Sequence, residues 1–390
     1  MTGRSCMFSN PFTPIFGGRP DFFFGRKAVL TRFDAAMVDQ GSEDRVLFVT
    51  GNRGCGKTAL LEQISMRAQA SGRKVVDLGA EHTVELLMRH LVRDDELTRG
   101  INPAASVSLM GAGVSLSGVS SSKTTHLGVQ DLGLVFLEAC AGQKKGVLVT
   151  IDEVQKVSLE DMSAICGAFQ MASRKGHDVM LVVAGLPYSF DRVIQYEGCT
   201  YMRRCSREEL GLLSHDEVAE AFDESVGLID GISMDGEARG LLVDASMGHP
   251  YIVQLLGYYL VSDINGRNPP SSHRVVADDV RRAVPMALGT YERRALKPLV
   301  EELAPSERDY LRGMTHAMGD GNIASTSEVA KSAGRSQSQL SRARESLIRS
   351  GTILAPARGK VMFNVPYLRG YILREPYADP DVSRALEWNV

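Results

Sequence analysis

The phosphate-binding pattern at residues 51–58 constrains this chain more than any other feature. It reads G-x-x-x-x-G-K-T, and it lies between an apolar segment that predicts a strand, residues 45–50, and apolar side chains at helical spacing, residues 59–64. Glycines let backbone N–H groups face a polyphosphate, the lysine neutralises phosphate charge, and the threonine offers a hydroxyl to Mg²⁺. The residues predicted to bind a nucleoside triphosphate are Asn52, Arg53, Gly54, Cys55, Gly56, Lys57 and Thr58, with Mg²⁺ on Thr58.

Cys55 adds a chemical expectation to this loop. A bulky oxidation product at its thiol would crowd the phosphates. We therefore expect thiol modification to abolish nucleotide binding in the natural sequence but not in a Cys55→Ser variant.

A second chemical motif ends the strand predicted at residues 146–151. The apolar run is followed at once by Asp152 and Glu153, about a hundred residues after the loop. In phosphate-loop ATPases one carboxylate holds the water shell of Mg²⁺ and the other orients and polarises the attacking water. Acidic residues also end strands by chance. Together with the loop, however, this pair predicts a metal-binding Asp152 and a catalytic Glu153.

Strands and helices alternate through the first half of the chain. Further elements are predicted as strands at 74–78 and 179–184 and as helices at 82–97, 132–140 and 158–173. The alternation predicts an α/β P-loop NTPase core, a parallel sheet with helices on both faces, whose ligands lie at the carboxyl ends of the strands. Residues 101–123, rich in Gly and Ser, favour a β-hairpin insertion or a mobile loop.

Composition and charge bound the class of protein. The chain has 390 residues, 44% of them hydrophobic and 23% charged, with a net charge of -3, which is typical of a globular protein of two or three domains. Its six cysteines form no C-x-x-C pair, which argues against a zinc site or a disulfide framework. No run approaches the roughly 18 apolar residues of a membrane span. We therefore expect a soluble, cytoplasmic protein with no membrane partner.

Arginines follow the last predicted core strands. Residues 200–207 read TYMRRCSR, and Arg203 or Arg204 would offer a guanidinium to a γ-phosphate, on the same chain or on a neighbouring subunit. A solvated basic turn is the alternative interpretation.

The C-terminal part predicts a different kind of domain. Three short helices starting near Pro305, Ser325 and Ser336 precede a β-hairpin, as in a winged helix-turn-helix. Between residues 331 and 374 there are nine basic residues and one acidic residue, so nine minus one gives a net charge of +8. A protein-docking module with a solvated basic face is the alternative. The residues predicted to contact duplex DNA are Gln337, Arg342, Arg344, Arg358 and Lys360.

Four segments are expected along the chain. They are an N-terminal arm (1–26), a P-loop ATPase core (27–210), a helical lid with a linker (211–300) and a winged helix-turn-helix domain (301–390). Ser214 and Glu217 predict a capping box at the first lid helix. Residues 262–272 predict a linker or exposed loop.

This combination resembles the AAA+ and STAND ATPases that carry a C-terminal winged helix, and it is similar to archaeal origin-recognition initiator ATPases. The resemblance rests on NPFTPIFGGRPDFFFGR, GNRGCGKT, VLVTIDE, GHPY and the stretch from LAPSERDYL to IRSGTI. It implies an enzyme that binds and hydrolyses ATP with Mg²⁺. The further positions it implies are Gly25 and Arg26 against the adenine, Arg203 or Arg204 as an arginine finger, and Gly248 and Pro250 in a lid that touches the nucleotide.

Two departures from these families predict slow hydrolysis. Initiator relatives place an arginine sensor in the lid, where this chain has a Gly-x-Pro step. A polar sensor is common at the strand end where this chain has Ala184 and Gly185. Both departures leave nucleotide binding intact, so a slow nucleotide-timed switch is expected.

Three functions remain open at this point. The first is an ATP-dependent switch coupled to DNA binding through the winged helix. The second is a signalling or assembly ATPase in which nucleotide controls formation of a homo-oligomer and the winged helix binds a protein partner. The third, a helper ATPase of a mobile element, has a similar motif layout.

Overall fold

The chain folds into two compact units. The structure, a computed structural model, describes residues 7–15, 23–91, 129–267 and 271–374. The sheet unit comprises Lys27–Thr50 and Leu60–Glu209, and the helical unit comprises Met1–Arg26, Gly51–Ala59 and Leu210–Val390. The contacts of the phosphate-binding loop thus group it with the C-terminal half of the chain. Beside this two-way division, the four segments expected from the sequence stay a prediction.

The sheet unit is built around a five-stranded sheet. Its strands are β1 (Val46–Gly51), β2 (Lys74–Leu78), β3 (Val147–Ile151), β4 (Val179–Gly185) and β5 (Ser206–Leu210). Their order is β2-β3-β4-β1-β5, and β2 with β3, β3 with β4 and β4 with β1 pair in parallel. All residues of β3 and β4 are buried, as expected of apolar strands covered on both faces. The predicted α/β fold class is confirmed.

Helices alternate with these strands along the chain. They are α1 (Lys27–Val38), α2 (Lys57–Ala70), α3 (Thr83–Leu91), α4 (Val129–Ala141), α5 (Leu159–Arg174) and α6 (Ser189–Ile194). The rings of Phe136 on α4 and Phe169 on α5 pack with their centroids 4.7 Å apart. Ser158 caps α5 by accepting a hydrogen bond from the Asp161 amide, which satisfies one of the free N–H groups at the helix start.

An ion cluster of two buried arginines and one half-buried aspartate lies at the amino-terminal edge of the sheet. Asp178, directly before β4, accepts hydrogen bonds of 2.6 and 2.9 Å from Arg73 and pairs with Arg45. Burial opposes ionisation of Asp178, but the hydrogen bonds and charges of the two arginines outweigh it and lower its pKa. The arginines also donate to the carbonyl groups of Ala36 and Met37, so the cluster ties α1 to the sheet.

The helical unit continues the chain after β5. Its elements up to residue 301 are α7 (His215–Gly227), β6 (Ile232–Met234), α8 (Gly236–Ser246), α9 (Pro250–Gly266), β7 (His273–Val275), α10 (Ala277–Tyr291) and α11 (Lys297–Glu301). The predicted capping box of Ser214 and Glu217 is confirmed. The linker predicted at residues 262–272 is wrong in its first part, because Ile264 continues the buried face of α9 as far as Gly266.

Residues 7–15 of the N-terminal arm pack against α9. The backbone of Phe8 exchanges two hydrogen bonds, of 2.8 and 3.0 Å, with the side-chain amide of Asn265. The Phe12 ring is buried so close to Gly257 that a Cβ at the glycine would lie 2.3 Å from it. The arm is thus anchored by its own aromatic side chains.

The C-terminal segment, residues 305–374, combines helices with a small antiparallel sheet. Its elements are α12 (Pro305–Met318), β8 (Ala324–Ser325), α13 (Thr326–Ser332), α14 (Gln337–Arg349), β9 (Ile353–Leu354), β10 (Lys360–Phe363) and α15 (Leu368–Arg374). The strands lie in the order β8-β10-β9. The predicted caps at Ser325 and Ser336 are confirmed. The sequence did not predict β8, because two residues are too short to show an alternation.

One hydrophobic core runs through the described part of the helical unit. It contains side chains of the arm, of the helices from α7 to α10, and of the C-terminal segment, including Phe12, Phe222, Leu256, Tyr291 and Leu347. The C-terminal segment therefore shares its apolar interior with the helices that precede it.

Some sequence predictions fall beyond the described residues. The helix predicted at 82–97 is present as α3, and its remainder lies outside them, as does the predicted insertion at 101–123. No helix in the described parts of the chain is both long and apolar enough to cross a membrane.

Candidate nucleotide-binding site

The loop between β1 and α2 has a backbone that requires glycine at two positions. Gly54 and Gly56 have φ values of 78° and 94°, which residues with a side chain rarely adopt. A Cβ at Gly54 would also lie 2.6 Å from the His249 ring. Helix α2 begins at Lys57 and runs for 14 residues, so the positive end of its dipole adjoins the loop.

Lys57 is a buried cation that forms no ion pair with any described residue. Its Nζ donates hydrogen bonds to the carbonyl oxygens of Gly51 at 2.9 Å and Asn52 at 2.8 Å. These dipoles orient the ammonium but do not neutralise it, so an anion would be stabilised beside it. Thr58 follows with an exposed side chain. The loop therefore fits a polyphosphate, with a hydroxyl at hand for Mg²⁺.

Two side chains of the loop contact later parts of the helical unit. Asn52 Nδ2 donates to the Gly351 carbonyl at 3.1 Å, and this carbonyl also accepts a hydrogen bond of 2.9 Å from Asn364. Arg53 forms an exposed ion pair of 3.0 Å with Glu302. Through Asn52 the loop is therefore in direct contact with Gly351, in the turn between α14 and β9.

The thiol of Cys55 is buried, with only 4% of the residue exposed. Burial raises the pKa of this thiol, against a smaller opposing effect of Lys57. Both burial and a raised pKa reduce the reactivity of cysteine. Modification of Cys55 thus requires the loop to open first, which restricts the redox sensitivity expected from the sequence.

We expect an alkylating reagent to modify Cys55 more slowly than the half-buried Cys205. The physical reason is that Cys55 must lose its packing before the reagent can reach it. Peptide mass spectrometry during a time course of alkylation measures both rates. Faster reaction at Cys55 would contradict the buried position of its thiol.

Asp152 and Glu153 follow β3 at the carboxyl edge of the sheet. Glu153 has a φ of 54°, in the left-handed region that residues other than glycine seldom adopt. Its amide donates a hydrogen bond of 2.7 Å to Asp152 Oδ1. The first carboxylate therefore fixes the strained backbone that carries the second, and such strain is common at functional sites.

Gln155 holds the carboxylate of Glu153. Its Nε2 donates to Glu153 Oε2 at 2.7 Å, and its Oε1 accepts a hydrogen bond of 3.1 Å from the Leu186 amide, just after β4. Lys156 Nζ lies 3.4 Å from the same carboxylate. A Cβ at Gly185 would approach Gln155 Oε1 to 2.9 Å. Gln155 thus places a polar side chain where β4 itself, ending in Ala184 and Gly185, has none. The only sign of this role in the sequence is that Gln155 lies two residues after Glu153.

The Gly-x-Pro step joins α8 to α9. Gly248 has a φ of 70°, and a Cβ there would lie 2.4 Å from the Leu213 carbonyl. The Gly248 carbonyl accepts a hydrogen bond of 2.7 Å from the Leu213 amide. Pro250 occupies the start of α9, where its missing N–H has no helical partner to lose. These two residues therefore set the turn between α8 and α9, and their contact with a nucleotide stays a prediction.

His249, between them, makes a direct polar contact with the loop. Its Nε2 lies 3.3 Å from the Arg53 carbonyl, a hydrogen bond that needs the proton on this nitrogen. Burial lowers the pKa of His249 to about 4, so the imidazole is neutral at pH 7. Its ring packs edge-on against Tyr291, 5.6 Å between centroids. The sequence motif singled out Gly248 and Pro250 and missed this histidine.

Gly25 and Arg26 connect the arm to α1 with positive φ values of 70° and 57°. The Arg26 amide donates a hydrogen bond of 3.3 Å to Glu217, and its guanidinium donates to the Gly211 carbonyl. Burial opposes ionisation of Glu217, but hydrogen bonds from Ser214 and Arg26 outweigh it and lower the pKa. The adenine contact of Gly25 and Arg26 stays a prediction.

Comparison with known families identifies the region that carries these motifs. Residues 23–183 match the family model described as the AAA ATPase domain. The chain contains an AAA ATPase domain. It is therefore an ATP-hydrolysing enzyme by class. Residues 294–372 match a second model, described as a domain of unknown function (DUF8462), and no curated protein matches the sequence.

Several solved structures share the fold of this AAA ATPase chain over nearly its whole length. The ORC2 protein of Aeropyrum pernix in its ADPNP–ADP complexes is similar with a TM-score of 0.65 at 14% identity, over 95% of this chain and 97% of that chain. Its ADP form gives 0.56 at 15%, over 94% and 97%. Cdc6p of Pyrobaculum aerophilum gives 0.50 at 12%, over 95% and 98%. The expected likeness to archaeal initiator ATPases is confirmed as a likeness of fold.

The arginines predicted as fingers do not lie beside the carboxylates that follow β3. Arg204 lines a cavity of about 620 Å³ together with Val46 and Val179, the first residues of β1 and β4. Because these strands are parallel, Arg204 is at the amino edge of the sheet, opposite the edge that bears Asp152. Arg203 is exposed.

A second candidate site is the basic face of the C-terminal segment. Among the residues predicted to contact DNA, Arg344 is half-buried, and the exposed ones are Gln337, Arg342, Arg358 and Lys360. Neither Arg342 nor Arg358 forms a hydrogen bond or ion pair with a described residue. By contrast, Arg335 pairs with Asp309 at 2.6 Å. The charges of Arg342 and Arg358 are therefore available to a ligand.

Proposed function

We propose that this ATPase is a slow nucleotide-dependent switch that controls DNA binding by its C-terminal segment. The observation that carries the proposal is the hydrogen bond of 3.1 Å from Asn52 in the phosphate-binding loop to Gly351, between α14 and β9. A nucleotide that reorders the loop changes the stability of this contact. Binding and hydrolysis of ATP thereby shift the populations of the different arrangements that the C-terminal segment adopts.

In the proposed reaction, the loop binds ATP and Glu153 directs its hydrolysis. Lys57 and the backbone N–H groups of the loop would hold the phosphates, while Thr58 and Asp152 would hold Mg²⁺, which would supply positive charge to neutralise the phosphates. Glu153 accepts a proton from the water that attacks the γ-phosphorus. The hydrogen bond from Gln155 competes with that water for the carboxylate, which supports slow turnover.

The Gly-x-Pro step is the proposed sensor of nucleotide state. Gly248 and Pro250 set its turn, and the neutral His249 donates to the loop carbonyl of Arg53. If nucleotide binding moves the peptide group of Arg53, its hydrogen bond to His249 would transmit the movement to α9, which begins at the next residue. Gly25 and Arg26 are proposed to contact the adenine.

The C-terminal segment is proposed to be a winged helix-turn-helix that binds duplex DNA. In this arrangement α13 and α14 form the helix-turn-helix, and β9 with β10 forms the wing. The net charge of +8 between residues 331 and 374, nine basic minus one acidic, supports contact with phosphates. The proposed contacts are Gln337, Arg342, Arg344, Arg358 and Lys360.

The combined substitution Arg342→Ala and Arg358→Ala is expected to weaken duplex DNA binding at least about tenfold. It should also reduce the slope of log K against log salt by roughly 2, since each lost phosphate contact removes about 1. Filter binding across a salt series, with and without ATP, measures both. Arg239→Ala with Arg281→Ala, on exposed arginines outside the segment, is the charge-matched control. Unchanged affinity and slope in the first pair would contradict the DNA part of the proposal.

Nucleotide-controlled assembly is the second candidate function, and the position of Arg204 favours it. An arginine at the sheet edge opposite Asp152 suits a finger that acts on the nucleotide of a neighbouring subunit. Light scattering in ATP and in ADP discriminates between the two candidates. Oligomers that depend on nucleotide and ignore DNA would favour assembly.

A further inference from the structure

A groove of about 330 Å³ lies between α12, α14 and the turn that joins β9 to β10. Buried Leu340 and Tyr310 give it an apolar base, and the exposed residues Gln337, Ser341 and Arg358 line its opening. Its size is at the lower end of the range for small-ligand pockets, which is large enough for a phosphodiester with part of a sugar.

Two residues that line this groove each carry a buried polar atom without a partner. Neither Tyr310 Oη nor Arg344 Nε has a hydrogen-bond partner among the described residues. Only 2% of Tyr310 is exposed, and both residues line the groove. Buried donors in folded proteins are nearly always paired, because an unpaired one has lost its hydration without compensation. Two unpaired donors on residues of the same groove leave hydrogen-bonding capacity that an acceptor from outside the chain can use.

The charge of the groove favours an anion. The described residues that line it include no carboxylate, and Arg344 and Arg358 form no ion pair within that part of the chain. The nearby Asp309 is already paired with Arg335. Burial raises the pKa of Tyr310 to about 12, so its hydroxyl keeps its proton at pH 7. A phosphate accepts hydrogen bonds from hydroxyl and guanidinium groups alike.

We propose that this groove holds one backbone phosphate of duplex DNA, bound by the Tyr310 hydroxyl and the Arg344 guanidinium. The proposal rests on the proposed DNA-binding function and gives that function an anchor point. A phosphate held at the base of α14 fixes the register of the helix on the duplex without reading its sequence. Arg358 at the opening adds charge to the same site.

The substitution Tyr310→Phe tests the groove because it removes only the unpaired hydroxyl. We expect the melting temperature to stay the same or rise, while affinity for duplex DNA falls about tenfold for every sequence, as for one hydrogen bond to a charged group. The salt slope should not change, since no charge is lost. Arg344→Gln should weaken binding and also lower the slope by about 0.9.

Tyr367→Phe is the matched control in the same segment. Its hydroxyl donates a hydrogen bond of 2.7 Å to the Ala245 carbonyl, so this variant should melt earlier and bind DNA normally. If Tyr310→Phe binds DNA as well as the natural chain does, the groove proposal is wrong. It is equally wrong if that variant loses stability and affinity together, because the hydroxyl is then structural. If the natural chain binds no duplex, the proposed function itself fails.

Discussion

Glu153→Gln is expected to preserve nucleotide binding and to lower ATP turnover by about 100- to 1000-fold. An amide keeps the shape of the side chain but cannot accept the proton of the attacking water, and general-base catalysis contributes factors of this size. The strained backbone at Glu153 and the hydrogen bond from Gln155 hold this carboxylate in one place. Phosphate release under saturating ATP measures turnover, and calorimetric titration with ATP measures binding.

Glu160→Gln, on the exposed start of α5, makes the same charge change away from this constellation. It should leave both quantities unaltered. Retained turnover in Glu153→Gln would move the water-positioning role to another residue, with Gln155 as the next to replace.

Lys57→Ala is expected to weaken ATP binding by about 100-fold or more. A charged hydrogen bond to a phosphate in a buried setting contributes up to roughly 3 kcal/mol, which corresponds to such a factor. Lys57 is buried and has only the neutral carbonyls of Gly51 and Asn52 as partners. Its charge is therefore not compensated within the loop, and the phosphates are its natural counter-charge. The same titration with ATP and ADP gives the affinities.

Lys144→Ala removes an exposed lysine from the turn before β3 and serves as the control. We expect it to bind nucleotide normally. A Lys57→Ala protein that keeps its affinity within a factor of about two would show that the loop backbone alone supplies the binding energy.

The phosphate-binding loop and the carboxylates after β3 could be predicted because their determinants are local. Each motif needs only a strand, a few fixed residue types and a turn, all of which the sequence spells out in order. The hydrogen bond from Asn52 to Gly351 joins residues almost three hundred positions apart. No periodicity or motif encodes that pairing, since it depends on how the helices of the unit pack. The same holds for His249, whose value lies in its contact with Arg53.

Gln155 illustrates a different limit. The sequence has Ala184 and Gly185 where a polar sensor is common, yet the space left by Gly185 is what admits Gln155 from the neighbouring strand end. Absence of a side chain at one position thus made room for a side chain at another. The linker expected at 262–272 shows the converse error, because Gly and Asn near the end of α9 mark its last turn rather than a loop.

The contact between Phe12 and Gly257 has a consequence for how mutations in this chain must be interpreted. Glycine inside a helix costs about 1 kcal/mol relative to alanine, whereas burying a phenylalanine side chain contributes about 2 kcal/mol. The exchange is favourable only while both residues are present. The stability effects of substitutions at these two positions, more than two hundred residues apart, therefore depend on each other. The glycine destabilises its helix if the phenylalanine is lost, and the phenylalanine cannot be buried if the glycine is replaced.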